Sequence, residues 1–237
     1  MEILITLCAR GGSKGIPGKN IRLINGLPLI AYSIAHAKAF AAINNADISL
    51  STDSSDIKEV AKKYELYTEY KRPDEVSLDG TGKMETILHV LAYEESKREK
   101  KYDYILDLDI SSPLRTLEDL LQGFDKILND PQALNLFSVN PANRNPYFNM
   151  VELQENGYYG LVKKGNFLTR QSAPDIFDLN ASFYFYRRIF FDQDTPKTIS
   201  ERSMIHVMQH ICFDLDHPVD FEFMEFLIAN KKLGFNI

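Results

Sequence analysis

Only two cysteines, Cys8 and Cys212, occur in 237 residues, too few for a disulfide framework. Both stand in apolar runs, which predicts buried thiols in a reducing compartment. Positive charge is also short: 27 Lys and Arg against 33 Asp and Glu give a formal net charge of −6. That argues against a general nucleic-acid-binding surface, because phosphate-tracking proteins carry a net basic face. A local basic loop is still permitted. No window approaches the roughly 18 apolar residues that a membrane span needs. The opening MEILITLCAR has no basic leader before its short apolar run, so it reads as a strand and the protein is expected in the cytoplasm. Repeats and low-complexity tracts are absent. The remaining composition, 44% hydrophobic and 25% charged, is that of an ordinary globular protein. Its length suits a single domain over residues 1–237.

The first two-thirds of the chain alternates strand-like and helix-like stretches. Strands are predicted at 2–8, 47–51, 66–70, 102–108 and 134–140. Helices are predicted from Pro28 to about Phe40, from a Ser54 or Ser55 cap through Tyr64, from Lys83 to Arg98, and from Thr116, where Asp119 stands at capping-box spacing. Such alternation implies parallel βαβ units. Residues 141–188 break the pattern. FNMVELQ, GYYGLVK and ASFYFYRR are strand-like pieces between Asn, Gly and Pro turns, read here as one antiparallel excursion. Its aromatics, among them Tyr147, Phe148, Tyr158, Tyr159 and Phe167, exceed what a thin excursion buries, and a subunit interface is one outlet for them. A strand at 206–213 and a helix at 218–232 close the chain.

Three segments carry chemistry. The loop from Ala9 to Asn20 follows the first strand and holds four glycines, three cations and Ser13. Glycines let backbone N–H groups approach phosphate oxygens, and cations neutralise them. It is neither a Walker A loop nor a dinucleotide fingerprint. Its place at a strand's C-terminal end is where open α/β sheets bind ligands. The second segment is Asp107-Leu108-Asp109-Ile110-Ser111-Ser112-Pro113-Leu114-Arg115 and the third is Asp214-Leu215-Asp216-His217-Pro218. Both are expected at strand exits. Alternate residues of an extended chain share a side, and carboxylates there suit Mg²⁺, with phosphates completing its shell. Asp53 ends another strand, where capping the next helix and binding a ligand both fit. Arg72 is placed to enter the same crevice. Lys83 sits at a helix start, where a cation gains nothing from the helix dipole, so a ligand contact is expected of it. His36, His89, His206 and His210 read as structural, and His217 as a turn or cap residue.

At these residues the chain resembles a known family. ARGGSKGIPGKNI, STDSSDI, SSPLR and DLDHPVDF occur in the order found in the CMP-sialic acid synthetases, cytidylyltransferases that activate nonulosonic acids. The match runs from residue 5 to about residue 227. The resemblance implies a Rossmann-like α/β nucleotidyltransferase fold of the GT-A type, with a mixed, mostly parallel sheet. It further implies a homodimer built through residues 141–188, Mg²⁺ as cofactor, and transfer of CMP from CTP to a sugar acid with release of pyrophosphate. It places Ala9, Arg10, Gly11, Ser13, Lys14, Lys19, Asn20, Arg72 and Lys83 on CTP, and Asp214 and Asp216 on the metal. Arg10, Lys14, Lys19, Asp214 and Asp216 would carry catalysis. Asp109, Ser112, Arg144, Arg170, Gln171 and Asp178 would face the sugar.

Departures from the sialic-acid branch fall on the sugar side. Asp109 stands where a sugar-contacting Gln is usual, and Asp178-Leu179-Asn180-Ala181 replaces an Arg-Pro-Asn-Gly stretch. Lys83 stands where a small hydroxyl residue is common. The combination resembles the legionaminic acid cytidylyltransferases of bacteria that decorate surface glycans. Three alternatives are weighed against it. A Kdo cytidylyltransferase usually lacks the Ser-Lys-Gly of this opening loop. A glycosyltransferase using the Asp107-Leu108-Asp109 pair would lack the basic loop. A silent nucleotide-binding subunit would bind CTP and release no pyrophosphate.

Overall fold

The computed structural model describes residues 1–12, 15–77, 82–193 and 196–237. Ile3–Cys8 (β1) is an apolar, β-branched run with all but its last residue buried. Its side chains alternate between two layers: Ile3, Ile5 and Leu7 join one hydrophobic cluster, Leu4 another. Leu23–Ile24 (β2) and Leu27–Pro28 (β3) form a small antiparallel ribbon that delivers the chain into helix Leu29–Asn44 (α1). Asn45 ends α1 in the left-handed conformation at φ 51°. Asp47–Ser51 (β4) pairs parallel with β1. Helix Ser55–Lys63 (α2) is capped by Ser54, whose hydroxyl accepts the Ile57 N–H.

Helix Lys83–Lys97 (α3) packs Ile87 and Leu91 on the opposite face of the sheet from α1. Tyr104–Leu108 (β5) pairs parallel with β1 on its other side. Leu117–Asn129 (α4) opens with the Thr116–Asp119 capping box. Asn135–Pro141 (β6) follows. Val151–Leu153 (β7) and Tyr159–Leu161 (β8) make a separate hairpin. Phe177–Arg187 (β9), Ser203–Val207 (β10) and helix Pro218–Ala229 (α5) complete the chain. Among the described residues the main sheet runs β10–β6–β9–β5–β1–β4. β9 is antiparallel to both its neighbours, and the other pairings are parallel. The fold is therefore an α/β Rossmann-like sheet, mixed but mostly parallel. No helix among the described residues is long and apolar enough to cross a membrane.

Three expectations change. ASFYFYRR is not part of an outlying excursion: it lies in β9, near the middle of the main sheet, with Phe183, Phe185 and Tyr186 fully buried. Residues 66–70 form no strand. They run beside β4, but Thr68 reaches Leu50 O with its side-chain hydroxyl, which substitutes for a backbone ladder. The last strand stops at Val207, because His210 turns back to hydrogen-bond Asp119 and breaks the run toward 213.

Candidate active site

The parallel strands β1, β4 and β5 all end on one edge of the sheet, and the opening loop covers it. Ile16, buried in the core, anchors the loop. The Gly11 N–H donates to Asp53 Oδ1 at 2.7 Å, and Asn20 Nδ2 donates to Arg10 O at 2.9 Å. A Cβ at Gly11 would stand 2.9 Å from Ser54 Cβ, and one at Gly15 would stand 3.2 Å from Asp216 O. Glycine thus permits the loop to close on the start of α2 and on the late aspartate segment. Asp53 ties down the loop, whereas the helix cap is its neighbour Ser54. Ser13 and Lys14 lie outside the described residues.

Under the loop is a cleft of about 270 Å³ lined by Cys8, Arg10, Lys19, Asn20, Arg72 and Lys83, with Asp109 and Ser111 on its floor. Four of the residues predicted to bind a triphosphate therefore bring cations to one cleft. The buried Arg72 guanidinium is aimed by neutral groups: Nε donates to Ser51 Oγ and Nη2 to Ser51 O, both at 3.0 Å. Lys83 Nζ lies 2.8 Å from Asp107 Oδ2 and 2.9 Å from Asp109 Oδ2. Burial alone would lower the Lys83 pKa, but the two carboxylates override it and hold it well above its ordinary value. Burial likewise opposes ionisation of Asp109, and Lys83 with Ser111 outweighs it, holding the carboxyl at about 2. Ala9, fully buried, donates its N–H to Ser51 O and fixes where the loop departs.

The late aspartates arrive on an extended segment after β10. The Leu215 N–H bonds Ser111 O at 2.8 Å, which sets the segment against the cleft floor. Asp216 Oδ1 meets Lys19 Nζ at 3.1 Å. Asp220, in the first turn of α5, accepts the backbone N–H groups of Asp216 and His217. Asp214 Oδ1 is buried with no hydrogen-bond partner among the described residues. Burial first, then the Asp109 and Asp216 charges, push the Asp214 carboxyl up to about 6. A buried carboxylate oxygen left open beside a second carboxylate is a donor set that fits a hard divalent ion. Mg²⁺ commonly takes one or two carboxylates and leaves the rest of its shell to phosphate and water.

The residues assigned to the sugar do not gather in this cleft. Of them, Asp109 alone lines it. Ser112 is fully buried and donates to Asn180 O at 2.6 Å. Arg144 and Arg170 line a second hollow of about 310 Å³ between the end of β6 and the start of β9. Arg170 Nη2 is held there by Ala142 O at 2.6 Å. Gln171 and Asp178 are exposed and line neither hollow. Cys8, Thr86, Ile110 and Ser111 line the cleft without having been anticipated. For Cys8 the signal was available, since it is the last residue of the strand that the loop leaves. Burial and the Asp107 charge push its thiol up to about 12, so it is a wall and not a nucleophile.

A "Post-translational flagellin modification protein B" of Campylobacter coli is 40% identical over 232 residues, covering 98% of this chain and 97% of that protein. A "CMP-N,N'-diacetyllegionaminic acid synthase" of Campylobacter jejuni is 39% identical over 233 residues, with the same coverage. Among solved structures, a CMP:2-keto-3-deoxy-manno-octonic acid synthetase complexed with CTP superposes with a TM-score of 0.69 at 16% identity, covering 98% of this chain and 100% of the other. At that identity the likeness is one of fold. The cytidylyltransferase family profile spans residues 4–232, nearly the whole chain, so this protein belongs to the cytidylyltransferases, which are nucleotidyltransferase enzymes.

Proposed function

We propose that this enzyme transfers CMP from CTP to the anomeric hydroxyl of a nonulosonic acid of the legionaminic type and releases pyrophosphate. The observation that carries the reading is the convergence of Arg10, Lys19, Arg72 and Lys83 on one cleft beside the open Asp214 oxygen. A triphosphate is the ligand such a cluster suits, and the relatives' names supply the sugar class. The sugar oxygen attacks the α-phosphorus in line as the bond to the leaving pyrophosphate breaks. Little covalent work falls to the protein, so positioning and charge neutralisation account for most of the rate. Arg72, fixed by Ser51, and Lys83, fixed by two aspartates, are cations already in place before the substrate arrives. Lys19 is paired with Asp216 in the free chain and turns to the leaving pyrophosphate when Asp216 takes another partner. Asp214 and Asp216 would hold Mg²⁺. A bound Mg²⁺ supplies charge neutralisation at the α-phosphate and acidifies the attacking hydroxyl. Ser13 and Lys14 would join the phosphate cradle. Arg144 and Arg170 remain the cations offered to the sugar's carboxylate, with Gln171, Asp178 and Ser112 as lesser contributors.

The chain is further proposed to act as a homodimer in the cytoplasm. Val151, Leu153, Tyr158 and Tyr159 on the β7–β8 hairpin are all more than 60% exposed, and an apolar face of that kind calls for a cover. A Leu153→Glu substitution is expected to convert the dimer to a monomer in sedimentation equilibrium. CTP as substrate and the free thiols of Cys8 and Cys212 both suit a reducing, nucleotide-rich compartment.

The deciding experiment is a coupled pyrophosphate assay with CTP and Mg²⁺ against legionaminic, pseudaminic, N-acetylneuraminic and Kdo acids. Pyrophosphate release fastest with the legionaminic acid is expected. Release with Kdo alone would overturn the sugar assignment. CTP binding with no release for any acid would overturn the activity.

A further inference from the structure

The chain treats its two aspartate pairs in opposite ways. Three of the four carboxylate oxygens of Asp107 and Asp109 accept hydrogen bonds from this chain, and the fourth, Asp107 Oδ2, has the Lys83 ammonium as an ion-pair contact. Thr6 Oγ1 donates to Asp107 Oδ1 at 2.7 Å. The Ser111 N–H and hydroxyl both donate to Asp109 Oδ1 at 2.8 Å. Lys83 Nζ takes the two remaining oxygens, at 2.8 and 2.9 Å, and the Tyr184 ring lies 4.5 Å from the same ammonium. Asp107 itself is fully buried. Asp107 Oδ2 and Asp214 Oδ1 are both buried without a hydrogen-bond partner among the described residues, but Asp107 Oδ2 has the Lys83 ammonium at 2.8 Å, whereas no described cation forms an ion pair with Asp214.

A divalent ion bridging Asp107 and Asp109 would have to stand where the ammonium stands. To enter, it must expel an ammonium that is ion-paired to both carboxylates in a largely buried site. Two like charges held a few ångströms apart in such surroundings repel strongly, because little solvent screens them. The ammonium is also present at every metal concentration, because it is covalently part of α3. We infer that Lys83 is a built-in cation occupying the position a second divalent ion would take, so that the strand-exit pair Asp107/Asp109 binds no metal and the enzyme offers a single divalent-ion site. This rests on the reading of Asp214 and Asp216 given above. Its functional meaning is that the charge offsetting the Asp107/Asp109 pair beside the cleft is supplied by sequence and not by solution. The Asp-Leu-Asp motif then acts as a holder for Lys83.

Binding of Mn²⁺ alone, counted by the electron paramagnetic resonance signal of the free ion, tests the inference. The wild type is expected to bind one Mn²⁺ per chain, and Asp109→Asn is expected to leave that number unchanged. Lys83→Gln is expected to raise it to two, with a Tm that climbs on adding Mn²⁺ by more than the wild type's. The extra site should vanish when Asp109→Asn is added to Lys83→Gln. A folded Lys83→Gln chain that gains no site would overturn the inference. A wild type that loses Mn²⁺ on Asp109→Asn would do the same, and that comparison holds even if Lys83→Gln fails to fold. Asp214→Asn serves as the separate arm: if the wild-type ion survives it, the Asp214/Asp216 metal site falls while the comparison at Lys83 stands.

Discussion

Where the parallel strands begin, Asp47 meets Arg98 at 2.8 Å and Lys100 at 2.7 Å, and Glu95 meets Arg188 at 2.9 Å. Glu94, almost fully buried, accepts from the Ser49 hydroxyl and from Arg98. Each of these carboxylates has a cation within reach. Where the same strands end, Arg72 leans on neutral serine atoms, Asp214 keeps an open buried oxygen, and cations face into a cleft. The first edge is closed electrostatically and serves the fold. The second pairs Lys19 and Lys83 but leaves Arg72 and Asp214 without an ion pair among the described residues, and a polyanionic substrate with its metal would complete that arrangement.

The comparison breaks most sharply at Asp214. Asp214→Asn is expected to lower kcat by about 100-fold or more, roughly 3–4 kcal/mol in the barrier. Removal of an unpaired buried charge should leave Tm unchanged or higher. Steady-state kinetics beside a thermal melt would show whether the two readouts separate. The opposite edge should behave in the opposite manner. Glu95→Gln is expected to cost about 1–2 kcal/mol in urea unfolding, because its partners Arg188 and Lys101 are partly exposed and recover hydration. Turnover per folded chain should not change; a loss of turnover there would erase the distinction between the edges.

The smallest effect is expected behind the cleft, at the Asp119–His210 contact of 2.8 Å. Burial lowers the His210 pKa, but the hydrogen bond to Asp119 prevails and raises it. Burial opposes ionisation of Asp119 too, and its bonds to His206, His210 and Thr116 hold it well below the usual carboxylate range. The raised histidine contributes stability that is complete below its unfolded pKa, about 6.5, and is lost as pH rises through the folded value. Wild-type Tm should therefore fall more than that of His210→Gln between about pH 6 and about pH 9. Parallel melting curves would remove this contact from the account.

Local signals were legible in the sequence where the cause is local. Ser54 caps α2 and Thr116 with Asp119 opens α4 because both devices act within one turn. Lys83 stood out as a cation at the positive end of a helix, and its compensation, Asp107 and Asp109, lies on another strand. The alternation that put those two carboxylates on one side was also readable. Long-range choices were not. Phe and Tyr alternating over 183–186 suit an outlying hairpin as well as a central strand, and the pairing with β5 and β6 decides between them. The detachment of Asp214 from β10 depends on His210 reaching Asp119, a partner some ninety residues away in the chain. The two-hollow arrangement that separates Asp109 from Arg144 and Arg170 has no local signature at all.

The reversed strand β9 has a consequence for how the protein comes into being. Among the described residues, the early strands β4, β1 and β5 and the later β6 and β10 share no direct pairing, and β9 stitches the halves. Until residue 187 has emerged from the ribosome, a nascent chain owns the β4–β1–β5 sheet with a bare edge and an unpaired β6, and contacts of such long sequence separation form slowly. The aspartates that finish the cleft are translated later still. The order of synthesis thus withholds the assembled cleft until nearly the whole polypeptide exists.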